Sequence, residues 1–214
     1  MPEGRRAWSE PPVPRIVVTG SESTGKTTLA RQLAEALGTA WLPEFARTHA
    51  QQLQRALTAD DVSPIATGQL ATEEAAMAEW RERWGVASGG TEAPPLILDT
   101  DVVSTTVYAE HYYGECPPWI WAAARERLAP LYLLCTPDLP WLADGVRDRP
   151  AARRQLHNAF SARLAELGAR VLPVAGTGAA RLEVALAAVR GWRAAVAQAQ
   201  AHEYPHPHPH EPSR

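Results

Sequence analysis

The chain has 214 residues, of which 21 are Lys or Arg and 24 are Asp or Glu, and its formal net charge is −3. This length predicts one domain with a substantial core, and the slight negative charge argues against a broad nucleic-acid contact surface. No stretch reaches the roughly 20 consecutive apolar residues that a membrane helix needs, so we expect a soluble protein with no membrane partner. The two cysteines, Cys116 and Cys135, lack the spacing of a metal or redox motif, which favours a reducing, cytoplasmic setting.

The two ends of the chain differ in composition from its middle. Residues 1–14 are rich in proline and charge and contain no apolar signal-peptide segment, so we expect a disordered arm there. Residues 201–214 alternate histidine with proline, which predicts a disordered tail. The folded domain is therefore expected over residues 15–200.

The first predicted strand and helix enclose a distinctive loop. The apolar run over residues 15–19 predicts a strand, and Leu29, Leu33 and Leu37 form one stripe of a helix that ends near Gly38. Between them the sequence GSESTGKT matches the pattern G-x-x-x-x-G-K-[ST] of the phosphate-binding loop. The alternative, a chance glycine-rich turn, does not account for the correct strand and helix on both sides.

Each residue type in this loop suits phosphate binding. Glycines allow the backbone to approach a phosphate closely, and successive backbone N–H groups at a helix N-terminus attract the negative charge. Lys26 supplies a cation, and the hydroxyl of Thr27 is a ligand for Mg²⁺. The residues predicted to bind the phosphates of ATP are Gly20, Ser21, Glu22, Ser23, Thr24, Gly25, Lys26, Thr27 and Thr28.

The remaining chain alternates predicted strands and helices. Short apolar runs at residues 39–43, 96–98, 131–135 and 171–174 predict four further strands with helices between them, which is typical of a doubly wound parallel sheet. Proline is tolerated mainly in edge strands, and Pro43 and Pro173 mark the second and fifth strands. The predicted fold is thus an α/β P-loop NTPase with a five-stranded sheet in the order 2-3-1-4-5, as in nucleoside kinases.

Two carboxylates follow the third predicted strand. Asp99 comes directly after Leu96-Ile97-Leu98, so it should reach the carboxyl edge of the sheet beside the phosphate loop. There it could hold Mg²⁺ or accept a proton from an attacking hydroxyl, and Asp101 could contact the hydroxyls of an acceptor. The alternative is that one of the two only caps the next helix.

Polar residues elsewhere are further candidates. Glu44 and Arg47 follow the second strand and should reach the same edge, although an ion pair at a helix start is an equal alternative. Arg147 lies in a polar connector, where it could belong to a lid that neutralises the transferring phosphoryl group. The alternative for Arg147 is a solvated charge run.

Five motifs occur together in order along the chain, and together they resemble the ribosylnicotinamide kinase domain of the bacterial NadR proteins. The resemblance covers about residues 15–190. The phosphate loop alone is not specific, but its combination with the other motifs is. The motifs are GSESTGKT, Glu44-x-x-Arg47, Asp99-Thr100-Asp101, Tyr113-Gly114 and Trp141-x-x-Asp144-Gly145-x-Arg147.

The resemblance implies that ATP and Mg²⁺ phosphorylate nicotinamide riboside at its 5′-hydroxyl to give nicotinamide mononucleotide. It assigns catalysis to Lys26, Asp99, Asp101 and Arg147, metal binding to Thr27 and Asp99, and nucleoside binding to Glu44, Arg47 and Asp101. NadR proteins carry additional domains ahead of this unit, whereas the fold of this chain is expected to begin at about residue 15. We therefore expect this chain neither to make NAD nor to act as a repressor. Two alternatives stay open: a nucleotide-dependent switch, and a kinase of another nucleoside.

Overall fold

The computed structural model describes residues 13–84, 93–140 and 152–203. Its strands are β1 Arg15–Thr19, β2 Trp41–Leu42, β3 Leu96–Asp99, β4 Leu131–Cys135 and β5 Val171–Val174. Its α-helices are α1 Lys26–Leu37, α2 Phe45–Leu53, α3 Val62–Trp84, α4 Val102–Tyr113, α5 Pro118–Glu126, α6 Arg153–Glu166 and α7 Gly178–Glu203. A short 3₁₀ turn over Ala59–Asp61 precedes α3.

The five strands form one parallel sheet in the order β2-β3-β1-β4-β5, which confirms the predicted fold. β1 lies at the centre, with β3 on one side and β4 on the other. The proline argument holds in detail for only one edge: Pro173 lies within β5, opposite Leu134, whereas Pro43 follows the end of β2. All carboxyl ends of a parallel sheet point the same way, so the loops after β1, β2 and β3 meet at one edge.

The central strand is buried on both faces. Ile16 and Val18 pack with α1 and α7, while Val17 packs with residues from the helices α3 to α6, and all three side chains are fully buried. The sequence of a strand that is covered on both faces is a continuous apolar run rather than an alternation of apolar and polar residues. This packing holds the phosphate loop that follows β1 on a rigid support.

The helix ends differ in part from the predicted ones. α1 ends where predicted, because Gly38 takes the left-handed conformation with φ 64° and caps the helix. α2 ends at Leu53, because Gln54 takes the left-handed conformation with φ 52° and closes the helix. α7 continues to Glu203, past the predicted domain end at residue 200.

Several sequence predictions fall outside the described residues. They concern the arm over residues 1–12, the connector over residues 141–151 that contains Arg147, and the tail after residue 203. Within the described residues, no helix combines the length and apolarity needed to span a bilayer.

Candidate functional site

The two glycines of the phosphate loop are required by close packing as well as by backbone conformation. Gly20 has φ 135°, and a Cβ there would lie 2.9 Å from the carbonyl oxygen of Cys135 in β4. Gly25 has φ 71°, and its Cβ would meet the side chain of Leu139 at 2.8 Å. Only glycine adopts such conformations without strain. The loop is therefore folded tightly against the strand beside it.

Inside the loop, two side chains converge on one backbone carbonyl. Lys26 Nζ donates a hydrogen bond to Ser21 O at 2.9 Å, and Thr24 Oγ1 donates to the same oxygen at 2.8 Å. The side chain of Lys26 is buried, so its ammonium stays within the loop rather than in solvent. A phosphate that entered the loop would meet this cation directly.

Thr27 and Asp99 form the candidate metal site. Thr27 Oγ1 donates to Asp99 Oδ2 at 2.6 Å, and this contact joins the first turn of α1 to the end of β3. Asp99 is 1% exposed, and its Oδ1 accepts no hydrogen bond within the described part of the chain. Burial and the charge of Glu44 raise the pKa of Asp99 to about 6, while Lys26 and the Thr27 hydroxyl oppose that rise.

These donors fit a Mg²⁺ ion that also binds substrate phosphates. Mg²⁺ is usually held by one or two protein oxygens together with phosphate oxygens and water. Across residues 13–84, 93–140 and 152–203, no cluster of three or more His, Cys, Asp or Glu side chains forms a metal cage. Thr27 and Asp99 would supply two of the oxygen ligands around such an ion. The neighbouring Thr28 is exposed on the outer side of α1.

An arginine that the sequence analysis did not identify donates a hydrogen bond to the backbone of the phosphate loop. Arg181 of α7 is 4% exposed, and its Nη2 donates to Thr24 O at 2.8 Å. Its Nη1 donates to Asp138 Oδ1 and to Gly176 O, each at 2.8 Å. One guanidinium therefore joins the phosphate loop to the connections after β4 and β5.

A second arginine holds the adjacent carbonyl of the loop. Arg153 Nη2 donates to Ser23 O at 2.8 Å, and Nη1 donates to Leu139 O at 2.6 Å. Ser23 itself is left-handed with φ 51°, a conformation that costs energy in a residue other than glycine. The two arginines thus stabilise a strained turn of the loop, and both are distant from it in sequence.

An open pocket with an empty volume of about 500 Å³ lies at the same edge of the sheet. Its lining comes from α2, the turn before α3, α3 itself and α4, and three of its side chains are tyrosines. The lining residues are Glu44, Ala46, Leu57, Thr58, Val62, Ile65, Gln69, Thr100, Asp101, Ser104, Thr105, Tyr108, Ala109, Tyr112 and Tyr113.

Glu44 belongs to this pocket, and Arg47 lies beside it. Arg47 Nη2 is 3.9 Å from Glu44 Oε2, so the ion pair at the helix start is present. The Glu44 side chain is only 7% exposed, however, which distinguishes the pair from one on the surface. Glu22 of the phosphate loop is also buried and accepts a hydrogen bond from Tyr112, a pocket residue. Its carboxylate therefore contacts the pocket wall.

Asp101 caps α4, as the alternative interpretation proposed. Its Oδ1 accepts from Val103 N at 3.1 Å, and its Oδ2 accepts from Tyr132 Oη at 2.6 Å. Burial raises the pKa of this carboxyl to about 6, against the lowering effects of Tyr132 and Arg15. Both oxygens are thus engaged within the protein, although the residue lines the pocket.

A strand, a phosphate loop and a helix, with a hydroxyl and a carboxylate paired beside them, define a P-loop nucleotide-binding domain of the kinase type. Comparison with known proteins agrees. A family model described as an AAA domain matches residues 15–181, and the chain belongs to this family.

Individual relatives extend the comparison. The trifunctional NAD biosynthesis/regulator protein NadR of Salmonella typhimurium is 30% identical over 136 residues, which are 62% of this chain and 30% of that protein. A crystal structure of NadR in complex with NR superposes with a TM-score of 0.70 and 26% identity, over 85% of this chain and 52% of that one. A crystal structure of NadR in complex with NAD and AMP-PNP superposes with a TM-score of 0.67 and 25% identity, over 85% of this chain and 50% of that one.

The resemblance to NadR that the five motifs predicted is thus confirmed. The chain spans 30% of the curated relative and about half of the NadR chains in the solved structures. A thymidylate kinase from Ehrlichia chaffeensis, 14% identical with a TM-score of 0.55, covers 85% of this chain and 99% of its own. That likeness concerns the fold alone.

Proposed function

We propose that the protein is a kinase that transfers the γ-phosphoryl group of ATP to the 5′-hydroxyl of nicotinamide riboside and forms nicotinamide mononucleotide. The observation that carries the proposal is the position of the pocket. Its wall includes Thr100 and Asp101, which directly follow Asp99, and Asp99 contacts Thr27 of the phosphate loop. An acceptor in the pocket would therefore lie beside the phosphates of a nucleotide in the loop.

The residues support this reaction in distinct ways. In the transfer, the acceptor oxygen bonds to the γ-phosphorus as the bond to the departing ADP oxygen breaks, and the hydroxyl proton passes to a carboxylate at this edge. Lys26 neutralises phosphate charge, and Thr27 and Asp99 would hold Mg²⁺. When bound, Mg²⁺ supplies further neutralisation of the phosphate oxygens. Phosphoryl transfer depends chiefly on such positioning and charge stabilisation.

The choice of acceptor rests on the NadR relatives and on the chemistry of the pocket. A solved relative was crystallised with NR, and another with AMP-PNP, a nucleotide. The carboxylates of Glu44 and Asp101 and the tyrosine rings at positions 108, 112 and 113 suit a ribose and a cationic aromatic ring. Free thiols at Cys116 and Cys135 are compatible with the cytoplasm, where we place the reaction.

The test is a panel of nucleosides incubated with purified protein, ATP and Mg²⁺, with the products separated by chromatography. The proposal predicts nicotinamide mononucleotide as the main product. Preferential phosphorylation of another nucleoside would contradict the proposed acceptor but support the assignment of the protein as a kinase. Stabilisation of the protein by nucleosides in the presence of ADP and Mg²⁺ provides an independent reading, since a true acceptor raises the melting temperature by mass action.

Arg147 remains our candidate for the lid. If it stabilises the transferring phosphoryl group, Arg147→Ala will lower kcat by about 100-fold and change the binding of either ground-state substrate much less. Steady-state kinetics together with equilibrium binding of ATP and of the nucleoside measure the two effects separately. A change confined to nucleoside binding would make Arg147 a binding residue instead.

A further inference from the structure

Two polar residues lie on the buried stripe of α3. Gln69 is 3% exposed and Glu73 is 1% exposed, and the other buried residues of this helix are apolar: Val62, Ile65, Ala66, Met77 and Trp80. Burial of a carboxylate is costly unless other groups compensate it. Neither residue has a part in the reaction described above, so their position requires a separate explanation.

Their hydrogen bonds fix the orientation of one amide. Gln69 Nε2 donates to Glu73 Oε1 at 2.8 Å, and Gln69 Oε1 accepts from Phe45 N at 3.2 Å. The backbone N–H of Phe45 can only donate, so it must face the amide oxygen of Gln69, and the amide nitrogen then faces Glu73. Gln69 lines the acceptor pocket, so Glu73 positions a group that an acceptor would contact.

The charges around Glu73 do not balance. Arg15 of β1 has its Nη1 3.6 Å from Glu73 Oε2, and its Nη2 donates to the backbone oxygens of Arg127 and Leu128. Asp101, which lies before α4, adds a second negative charge, and the Arg127 side chain pairs with Glu74 at 2.8 Å. Arg15 thus faces the two buried carboxylates of Glu73 and Asp101, while the more distant charge of Arg127 is shared with Glu74.

Burial and these charges together set the pKa of Glu73. Burial raises the pKa of Glu73 to about 7, with Asp101 adding to the rise and Gln69, Arg15 and Arg127 opposing it. A cation in the pocket would favour the ionised form of Glu73, whereas a neutral ligand would not. Three tyrosines in the pocket wall could contact a flat cationic ring.

We propose that the buried carboxylate of Glu73, which also orients Gln69, makes the pocket prefer an acceptor whose base carries a positive charge. The inference rests on the proposed function, since it concerns the acceptor of that reaction. It assigns the preference to the field of a buried carboxylate rather than to a direct contact with the base. Removal of that charge should therefore weaken selection without preventing transfer.

The decisive experiment compares Glu73→Gln with Glu74→Gln. Glu74 is the adjacent residue, its side chain is 58% exposed, and the change in charge is the same. For each protein, kcat/KM is measured at pH 8 with nicotinamide riboside, a cation, and with its neutral dihydro form. We expect the wild type to prefer the cation, Glu73→Gln to reduce that preference about tenfold through KM of the cation, and Glu74→Gln to leave it unchanged.

Dependence on pH separates this role from a merely structural one. Because burial raises the pKa of Glu73 to about 7, the wild-type KM for nicotinamide riboside should fall as the pH rises from 7 to 8.5, and the KM of Glu73→Gln should change much less. This window lies above the pKa of about 6 of Asp99 and Asp101, so their ionisation contributes little to the change. An unchanged preference in folded Glu73→Gln would overturn the inference, as would a wild type that prefers the neutral nucleoside.

Failure of the proposed function is distinguishable from failure of this inference. If neither nucleoside is phosphorylated, calorimetry with ADP and Mg²⁺ measures the binding of the same two compounds to the same three proteins. Preferential binding of the cation that depends on Glu73 would then support the inference while the kinase proposal fails. Equal binding of both compounds, or no binding of either, would overturn it.

Discussion

The phosphate loop and the acceptor pocket lie at one edge of the sheet but are built from different parts of the chain. The loop is a contiguous segment whose backbone forms the site, and Arg153 and Arg181 hold it by its outward carbonyls. The pocket is formed by side chains from three helices and contains buried carboxylates. Nucleotide binding by the loop should therefore depend on backbone geometry and on the cation of Lys26. Acceptor binding by the pocket should depend on the ionisation of its buried carboxylates.

The largest expected effect is at the cation of the loop. Lys26→Ala removes the ammonium that lies among the backbone groups, so we expect kcat to fall by about 10²–10³-fold while the fold is retained. Activity assays and circular dichroism check the two parts of this prediction. Arg31→Ala, at an exposed position of the same helix, is the control and should retain activity. Near-normal turnover of Lys26→Ala would contradict the assignment of residues 20–27 as a phosphate-binding loop.

The loop was predictable because its signal is local. A strand, the phosphate loop and a helix follow one another in the chain, and the strand order was predicted from the alternating elements and two prolines. The pocket was predicted only in part. Glu44 and Asp101 were identified because they follow strands, but the hydrogen bond between Asp101 and Tyr132 joins side chains 31 residues apart. No spacing rule links such positions.

The second effect distinguishes catalysis from stability at Asp99. Asp99→Asn should lower kcat by about 100-fold, because the metal site loses its carboxylate. The same change should raise the free energy of unfolding at pH 8 by up to about 3 kcal/mol, since burial raises the pKa of Asp99 from 3.8 to about 6 in the native state. Urea unfolding and steady-state kinetics measure the two quantities.

The sign of the pH effect follows from that raised pKa. Below pH 4 the carboxyl of Asp99 is protonated in both states, so its ionisation contributes no difference. Between pH 4 and about 6 the unfolded state loses its proton first, so the wild type loses stability relative to Asp99→Asn as the pH rises. Above this window the difference stays constant. A difference between the wild type and Asp99→Asn that stays constant from pH 4 to 6 would contradict the assignment.

The third effect concerns the arginine behind the loop. Arg181→Met removes hydrogen bonds to Thr24 O and Asp138, so we expect a loss of about 1–3 kcal/mol in stability and roughly tenfold weaker ATP binding. Binding of the nucleoside should change much less, because Arg181 contacts only the loop side of the site. Arg190→Met on the same helix is the control, since its side chain is 64% exposed. Equal weakening of both ligands would show that the two regions are not separable.

Arg181, Gln69 and Glu73 carry a signal that sequence reasoning could have used. Arg181 shares a helix stripe with Ala185 and Val189, and Glu73 shares one with Met77. A charged residue at an apolar position of a stripe indicates a buried partner. The identity of that partner was not readable, because Thr24 and Arg181 are 157 residues apart.

The smallest expected effect is at the chain end. Removal of residues 204–214 should change neither the melting temperature nor kcat, because a segment of histidine and proline has little apolar surface to bury. Thermal unfolding and the kinase assay test this on the shortened chain. A loss of several degrees or of most activity would mean that the segment contacts the domain.

The most direct test of the account is whether ATP cleavage depends on an acceptor. With ATP and Mg²⁺ present, ADP formation is measured with and without nicotinamide riboside, and the mononucleotide is measured in the same samples. A loop and a pocket that act together predict that nicotinamide riboside greatly accelerates ADP formation, with one mononucleotide formed for each ADP. ADP formation at the same rate without an acceptor, and no mononucleotide with it, would contradict the account and indicate a nucleotide-dependent switch.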